Sequence, residues 1–566
     1  MIQQRCAMQS TRNLLIGLVI VTVVAGGLRF YRIGAWSFDV DEIASLLEDR
    51  LLFDGIPPTD DAKGEGQYTH LPQMLPLGYG LQHIDYLLFG RGEGGSRVVP
   101  AAMGTITAAL TYLLLVPLCG LPTAFATALL IAVSPEHIHY SQNNRFYAAA
   151  TFFAFLCVLG GAWVVDGTQL DRPQRFWGAV LAPLFVSLFA VAALLCHSVA
   201  AGAFGMALFG ISAAVLARRH AIPLTTCLPL FGGAVVLVAI AIGHVLPLAH
   251  GWNESAEWGD SPVSAVVGTV YRLGWPLVLL AVLGAALIIR SGFACAWYWV
   301  ACSVGLLAIV YIAPFKMVYV ARYGLPLTLP VFVLAGMAIA QTYGMFRAHN
   351  KVAAVAWICV VFMLGAPSLA SYYADGSRPD LQSALAFVAK SWRPGDCVCY
   401  IGRQKRALDY YIPTCTPSYS LTVESVKQLE DITCMHQRVW VVCTGYRRSA
   451  QNNIESWLGK RCSHELHVEA PRYDYYQNIV NVFLFDQGNP RVPLTDNSNC
   501  YVNTLDQQGG LNSSFVLALK QANAVRFGGG FFKVGDGGNA SRRTLVGRLR
   551  EGVVVSVQAS VVVFLR

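Results

Sequence analysis

The sequence predicts a polytopic α-helical membrane protein with about eleven transmembrane helices and a small extracytoplasmic α/β domain toward its C-terminal side. Three observations carry this. Of 566 residues, 55% are hydrophobic and only 13% are charged, whereas a soluble domain carries about 25% charged residues. Apolar runs near the length that crosses a hydrocarbon core, about 20 residues, recur along the first two thirds of the chain. Beyond residue 371 charge rises and the apolar runs shorten to the length of strands.

The expected spans lie near residues 13–31, 98–117, 121–136, 146–165, 176–196, 198–217, 223–248, 272–290, 293–313, 322–341 and 351–370. The first has no small-residue cleavage site before Phe30-Tyr31-Arg32 and reads as a retained anchor, not a cleaved leader. Lys and Arg set orientation through the short loops. With Arg5 and Arg12 in the cytoplasm, the alternate loops carry Arg172 and Arg175, Arg218 and Arg219, Arg290, and Arg347 with Lys351. The opposite loops hold acids: Asp39 to Asp61, and Glu254, Glu257 and Asp260. An odd number of spans then puts everything after residue 371 outside.

The expected organisation is a transmembrane domain over 1–371, an extracytoplasmic α/β domain over 372–487, and a Gly-, Asn- and Ser-rich tail over 488–566, for which a strand pair or an extension both fit. Within the first outer loop, 32–97, the stretches around Ile43–Leu47 and from Pro72 to Phe89 read as amphipathic interfacial helices. In the α/β domain, strands are expected at Cys397 to Ile401, Arg438 to Cys443 and Ile479 to Phe485, with helices at Leu381 to Lys390 and Asn453 to Leu458. Cys397 and Cys399 stand on one face of their strand. No cysteine spacing fits a zinc knuckle, and disulfides are compatible with an outer location. The net charge of +8 is scattered and not interleaved with aromatics, which argues against a nucleic-acid partner. No P-loop, dinucleotide fingerprint or HExxH motif is present.

The polar clusters collect on the side assigned as outer: Ser37 to Glu42, Thr69 to Pro72, Gly95 to Arg97, Ser134 to Tyr147, Cys196-His197, and Phe315 to Pro330. Their ordered set resembles the integral-membrane glycosyltransferases of the C-type fold, the group with protein O-mannosyltransferases and lipid A aminoarabinose transferases. The matching elements are Asp41-Glu42 after the first helix, His70-Leu71-Pro72 in the first loop, and Arg97 before the second helix. They continue with Ser134-Pro135, Tyr140-Ser141-Gln142-Asn143-Asn144-Arg145-Phe146-Tyr147, and Arg322-Tyr323-Gly324-Leu325-Pro326 at a late helix start. The resemblance covers residues 13 to 487. Two positions depart from it: Leu71 replaces a proline, and Asn143 stands where relatives carry an acid.

The resemblance implies an inverting transfer of sugar from a polyprenyl-phosphate donor to a lipid, glycan or protein acceptor, at the outer face of a bacterial inner membrane. Asp41 is then the general base. Glu42 supports it or binds a cation, and Asp39 reads as a solvated neighbour. A divalent cation on Asp41 and Glu42 is left open, because Asn143 removes an acid. Arg322, Tyr323, Lys316 and Arg145 are the candidates for the donor phosphate. His70, Arg97, Tyr140, Gln142, Asn143, Tyr147 and His197 are candidates for binding substrate or positioning loops, with a structural ion pair the plainer role for Arg97 and a structural histidine the plainer role for His197. Two other classes stay open on the residues: a transporter or lipid flippase, although polar sites gathered at one surface do not resemble a midplane site, and a non-catalytic scaffold.

Overall fold

The computed structural model describes residues 2–55, 75–167, 181–218, 224–241, 260–291, 296–315, 319–375, 380–401, 410–411, 420–423, 425–444, 449–469, 479–487, 546–548 and 554–556. The chain divides into two compact units, Met1–Tyr501 and Val502–Arg566. In the second, Val546–Arg548 pairs antiparallel with Val554–Ser556. The expected sites at His70 and Lys316 lie outside the described residues.

The first unit is mostly helical. Its first half comprises α1 (Ile2–Phe30), α2 (Val40–Asp49), α3 (Pro76–Phe89), α4 (Val98–Cys119), α5 (Leu121–Val133), α6 (Pro135–Ser141), α7 (Tyr147–Gly167) and α8 (Ala182–Cys196). There follow α9 (Gly202–Arg218), α10 (Leu224–Ile240), α11 (Pro262–Leu273), α12 (Trp275–Ser291), α13 (Ala296–Ile312), α14 (Leu329–His349) and α15 (Lys351–Asp375). The outer faces of these helices are apolar. On α1, Leu15, Val19 and Val23 are more than half exposed and recur every four residues, whereas Val21, Ala25 and Arg29 on the opposite stripe are fully buried. An apolar stripe turned outward is stable in lipid and not in water, so the protein is an integral, multi-pass membrane protein.

The expectation of eleven spans is not confirmed. Among the described residues, seven helices are long and apolar enough to cross, or nine if each of two bent pairs is one span. The shortfall has local causes. Ser134-Pro135 breaks the expected third span, and α6 leaves α5 at 59°. Gly274, at φ 82°, stops α11, and α12 departs at 93°. Two more apolar helices, Ala182–Cys196 and Thr226–Ile240, are shorter than a full span within the described residues. The expected helix start at residue 322 also moves: Ala321–Leu327, which contains Pro326, is a 3₁₀ segment, and α14 begins only at Leu329.

α14 is the central helix of the bundle, buried at every position from Leu329 to Ile339. Glycines let its neighbours approach. A methyl group at Gly284 of α12 would overlap the Leu334 carbonyl oxygen, and one at Gly336 would overlap Thr127 on α5. Small residues at such crossings admit close van der Waals packing, which holds helices together where lipid removes the hydrophobic drive.

After α15 the chain builds α16 (Leu381–Ser391), β1 (Cys397–Ile401), β2 (Ser420–Thr422), α17 (Val426–Met435), β3 (Arg438–Thr444), α18 (Ser449–Arg461), β4 (Ser463–Glu469) and β5 (Ile479–Asp486). The sheet runs β2-β1-β3-β5-β4, with β1 parallel to β2 and β3, and β5 antiparallel to both of its neighbours. Both faces are covered, so the residue parity of each strand sorts side chains into two cores. Cys397, Cys399, Val439, Val441 and Cys443 pack with Leu429 of α17 and Trp457 of α18. Val398, Tyr400, Trp440, Val442, Val480 and Val482 pack with α16 and with Phe38, Ile43, Leu46 and Tyr86 from the segment between α1 and α4. This second core fastens α2 to the sheet.

Substituting Gly284→Ala forces α12 away from a backbone carbonyl, which cannot yield as a side chain tip can. The expected loss is about 1–3 kcal/mol, read as a lowered thermal unfolding midpoint in detergent. Gly232→Ala on α10, where an added methyl meets nothing within 4 Å, is the control and leaves the midpoint in place.

Candidate active site

The site is built on the first turn of α2. Asp39 caps that helix: its Oδ1 accepts from the Glu42 amide at 2.8 Å, and Glu42 Oε2 accepts from the Asp39 amide at 3.0 Å. This reciprocal capping box fixes the entry of the helix, and Asp39 is a cap, not the solvated acid expected. The two following acids then point apart. Glu42 is fully buried, whereas the Asp41 side chain is 43% exposed.

Inside, Glu42 meets Arg97. Arg97 Nε donates to Oε1 and Nη2 to Oε2, both at 2.8 Å, a bidentate pair with neither side chain exposed. Further Arg97 protons go to the carbonyls of Ile33, Trp36 and Ser37. The Asn144 amide donates to Glu42 Oε1 at 2.6 Å. One ion pair thus ties the chain before α2, the turn Gly95–Arg97 and the loop after α6.

On the open side, Arg322 Nη2 donates to Asp41 Oδ2 at 3.1 Å. Arg145 Nη1 donates to the Asp41 carbonyl at 3.2 Å and to Ser45 Oγ at 2.6 Å. The Nε of each of these arginines is buried with no hydrogen-bond partner. Behind them is an aromatic wall: Tyr323 stacks on Tyr147 at 6.3 Å, and the His197 ring lies 4.8 Å from Tyr323 and 5.4 Å from Tyr147. Tyr140 lies 4.9 Å from Tyr147. His197 Nδ1 also accepts from the Val199 amide at 3.3 Å, capping the turn Ser198–Ala201.

The remaining candidates are placed as follows. Asn143 donates from Nδ2 to Asp39 Oδ2 at 3.2 Å, and its buried Oδ1 has no partner. Gln142 does not face Asp41 with its amide. Its Nε2 donates to the carbonyls of Leu28, Arg29 and Tyr31, and its Oε1 accepts from Tyr372 at 2.6 Å. Arg322 is aimed by Asp260, whose Oδ2 accepts from the Ala321 amide at 2.8 Å and whose amide donates to the Tyr319 carbonyl at 2.7 Å. Gly268 of α11 lets that segment sit close, since a methyl group there would reach 2.8 Å from Ala321 Cβ.

Sequence reasoning missed the second row of acids on α2. Glu48 accepts from the Tyr79 hydroxyl, and Asp49 accepts from His83 Nδ1 at 2.8 Å and from Arg91 Nη2 at 2.9 Å. A signal was available: positions 41, 45 and 48 fall on one face of a helix.

The donor set does not fit a divalent cation on Asp41 and Glu42. Both Glu42 oxygens are taken by Arg97, Asp41 faces Arg322, and no group of three His, Cys, Asp or Glu among the described residues could hold a metal ion.

No protein-family model and no curated protein matches the sequence. Solved structures do match, and they define the class: the architecture is the C-type glycosyltransferase fold of multi-pass membrane proteins. One similar structure is ArnT from Cupriavidus metallidurans in the apo state, at 12% identity and TM-score 0.51, over 84% of this chain and 99% of that one. Another is the archaeal oligosaccharyltransferase AglB from Archaeoglobus fulgidus, in complex with an inhibitory peptide and a dolichol-phosphate, at 12% identity and TM-score 0.51, over 85% of this chain and 75% of that one.

Removing one partner of the buried pair strands the other charge. Arg97→Met is expected to cost roughly 3–5 kcal/mol, seen as a large fall in the unfolding midpoint. The double variant Glu42→Leu, Arg97→Met should recover part of that loss. A second test concerns Asp85 on α3. Its Oδ1 accepts from the Val99 amide at 3.1 Å and caps α4, while its Oδ2 is buried with no partner. Burial pushes this carboxyl up to about 7, against the smaller opposing effect of the Val99 amide. The folded state therefore binds the proton more tightly than the unfolded chain, so this contribution to stability is full below about pH 4 and is lost as pH rises through about 7. Asp85→Asn should flatten the stability profile across that window.

Proposed function

We propose that the protein is an inverting glycosyltransferase that moves a sugar from a polyprenyl-phosphate carrier to an acceptor hydroxyl. The observation that carries this is Asp41: an exposed carboxylate set between two arginines whose Nε groups are buried and unpartnered. In an interior, a donor without an acceptor is costly, and a phosphate supplies the acceptors that both guanidiniums lack. The fold adds general support, as one similar structure is an oligosaccharyltransferase by name, in complex with a dolichol-phosphate.

On this reading the residues divide the chemistry between them. The acceptor oxygen attacks the anomeric carbon, and its proton passes to the Asp41 carboxylate. The bond between that carbon and the phosphate oxygen breaks, and its electron pair stays on the phosphate, where Arg322 and Arg145 meet the growing charge. Tyr147, Tyr323 and His197 form the wall behind the transfer. Glu42, Arg97 and Asn143 are positioning residues, since each holds the first turn of α2. The loop charges argue for a site on the outer face, and the family resemblance suggests a bacterial inner membrane. Residues 1–371 would supply the catalytic bundle, and 372–487 the sheet that backs α2.

The test is transfer of labelled sugar from polyprenyl-phosphate sugars by protein in detergent. Asp41→Asn should lower the rate about 10²–10⁴-fold without moving the unfolding midpoint. Transfer by Asp41→Asn at the wild-type rate would remove Asp41 from the chemistry.

A further inference from the structure

Arg322 Nη2 reaches Asp41 Oδ2 at 3.1 Å across 281 residues of sequence. The Arg322 side chain is only 16% exposed, against 43% for that of Asp41. Arg322 is thus the fixed partner: Asp260 holds the backbone of its segment, and its ring neighbour Tyr323 is locked between Tyr147 and His197. Asp41 is the partner with room to move. Arg145 attracts the Asp41 carboxylate by charge, but its hydrogen bonds go to the Asp41 backbone oxygen and to Ser45.

Resting on the reading of Arg322 as a phosphate ligand, we propose that the lipid phosphate and the Asp41 carboxylate compete for Arg322, so that the base is released by the arrival of the donor. In the unliganded protein one Asp41 oxygen accepts from the guanidinium, which holds the carboxylate turned toward Arg322 and away from the side where an acceptor hydroxyl enters. A phosphate oxygen on Arg322 takes over that donor. Repulsion between phosphate and carboxylate then turns Asp41 outward, toward its exposed side, where the acceptor enters. The acceptor is thus activated only when a donor is in place, which keeps water from being activated at an empty site.

Competition has a measurable sign. If the carboxylate occupies part of the phosphate site, removing its charge must tighten phosphate binding. The probe is undecaprenyl phosphate, titrated in detergent against wild type, Asp41→Asn and Asp41→Ala, with an unfolding midpoint measured for each. Both variants should bind about tenfold more tightly than wild type, the amide because it no longer holds Arg322 with a charge and the methyl because it no longer holds it at all. Arg322→Gln should abolish that gain when combined with Asp41→Asn. Equal or weaker binding by folded Asp41 variants, with wild type binding well, overturns the exchange and leaves the phosphate site standing. Absence of binding to all the proteins overturns the phosphate site itself.

Discussion

The bidentate contact between Glu42 and Arg97 is the constraint on which the site depends. Two charges out of water are costly to desolvate, and their attraction offsets that only when every hydrogen-bonding direction is filled. Here it is: three backbone carbonyls complete Arg97, and the amides of Asp39 and Asn144 complete Glu42. Because those partners belong to separate stretches of chain, the ion pair has only one geometry that satisfies them. Its contribution is therefore to specificity of position more than to net stability. Asp41 inherits that position by being one residue away.

A second buried cation does similar work one layer deeper. Arg29, on the inner stripe of α1, donates to the carbonyls of Ala132 and Ile131 at the end of α5, and to Ser141 on α6. A positive charge at the carbonyl end of a helix meets favourable partial charges, and here it also joins the two arms of the broken span. Gly104 of α4 passes this point, where any side chain would strike Ser141. The break at Ser134-Pro135 is thereby a fixed bend that delivers Asn143, Asn144 and Arg145 to α2.

Much of this was legible in the sequence, and the exceptions have physical reasons. The strands at Cys397, Arg438 and Ile479 are apolar because both faces of the sheet are covered. The edge strands escaped notice: Ser420–Thr422 is too short for any pattern, and Ser463–Glu469 carries the polar residues that suit an edge. Helix α17 was missed although Ser425 and Gln428 form the capping box that announces it. Ordered motifs brought Asp41, Arg145, Tyr147, Arg322 and Tyr323 to attention, and they do converge. What spacing cannot convey is direction. Gln142 and Asn143 are neighbours in one motif, yet the first is spent on the end of α1 and the second on the cap of α2. The partner of Asp41 lies 281 positions away, and no local pattern specifies it.

The core shared by Phe38, Ile43, Leu46 and the sheet sets the order in which the protein can mature. Synthesis proceeds from the N-terminus, so Glu42 and Arg97 can find one another early, with Asp41 already in its helix. The apolar side of that helix gains its partners in order of synthesis: Tyr86, then α16, then Val398, Tyr400, Trp440 and Val442, and last Val480 and Val482 of β5. A nascent chain carries the acid for most of its synthesis without the surface that holds it still. That core is thus complete only once the sheet has folded, and truncation anywhere before β5 would leave the apolar side of α2 partly open.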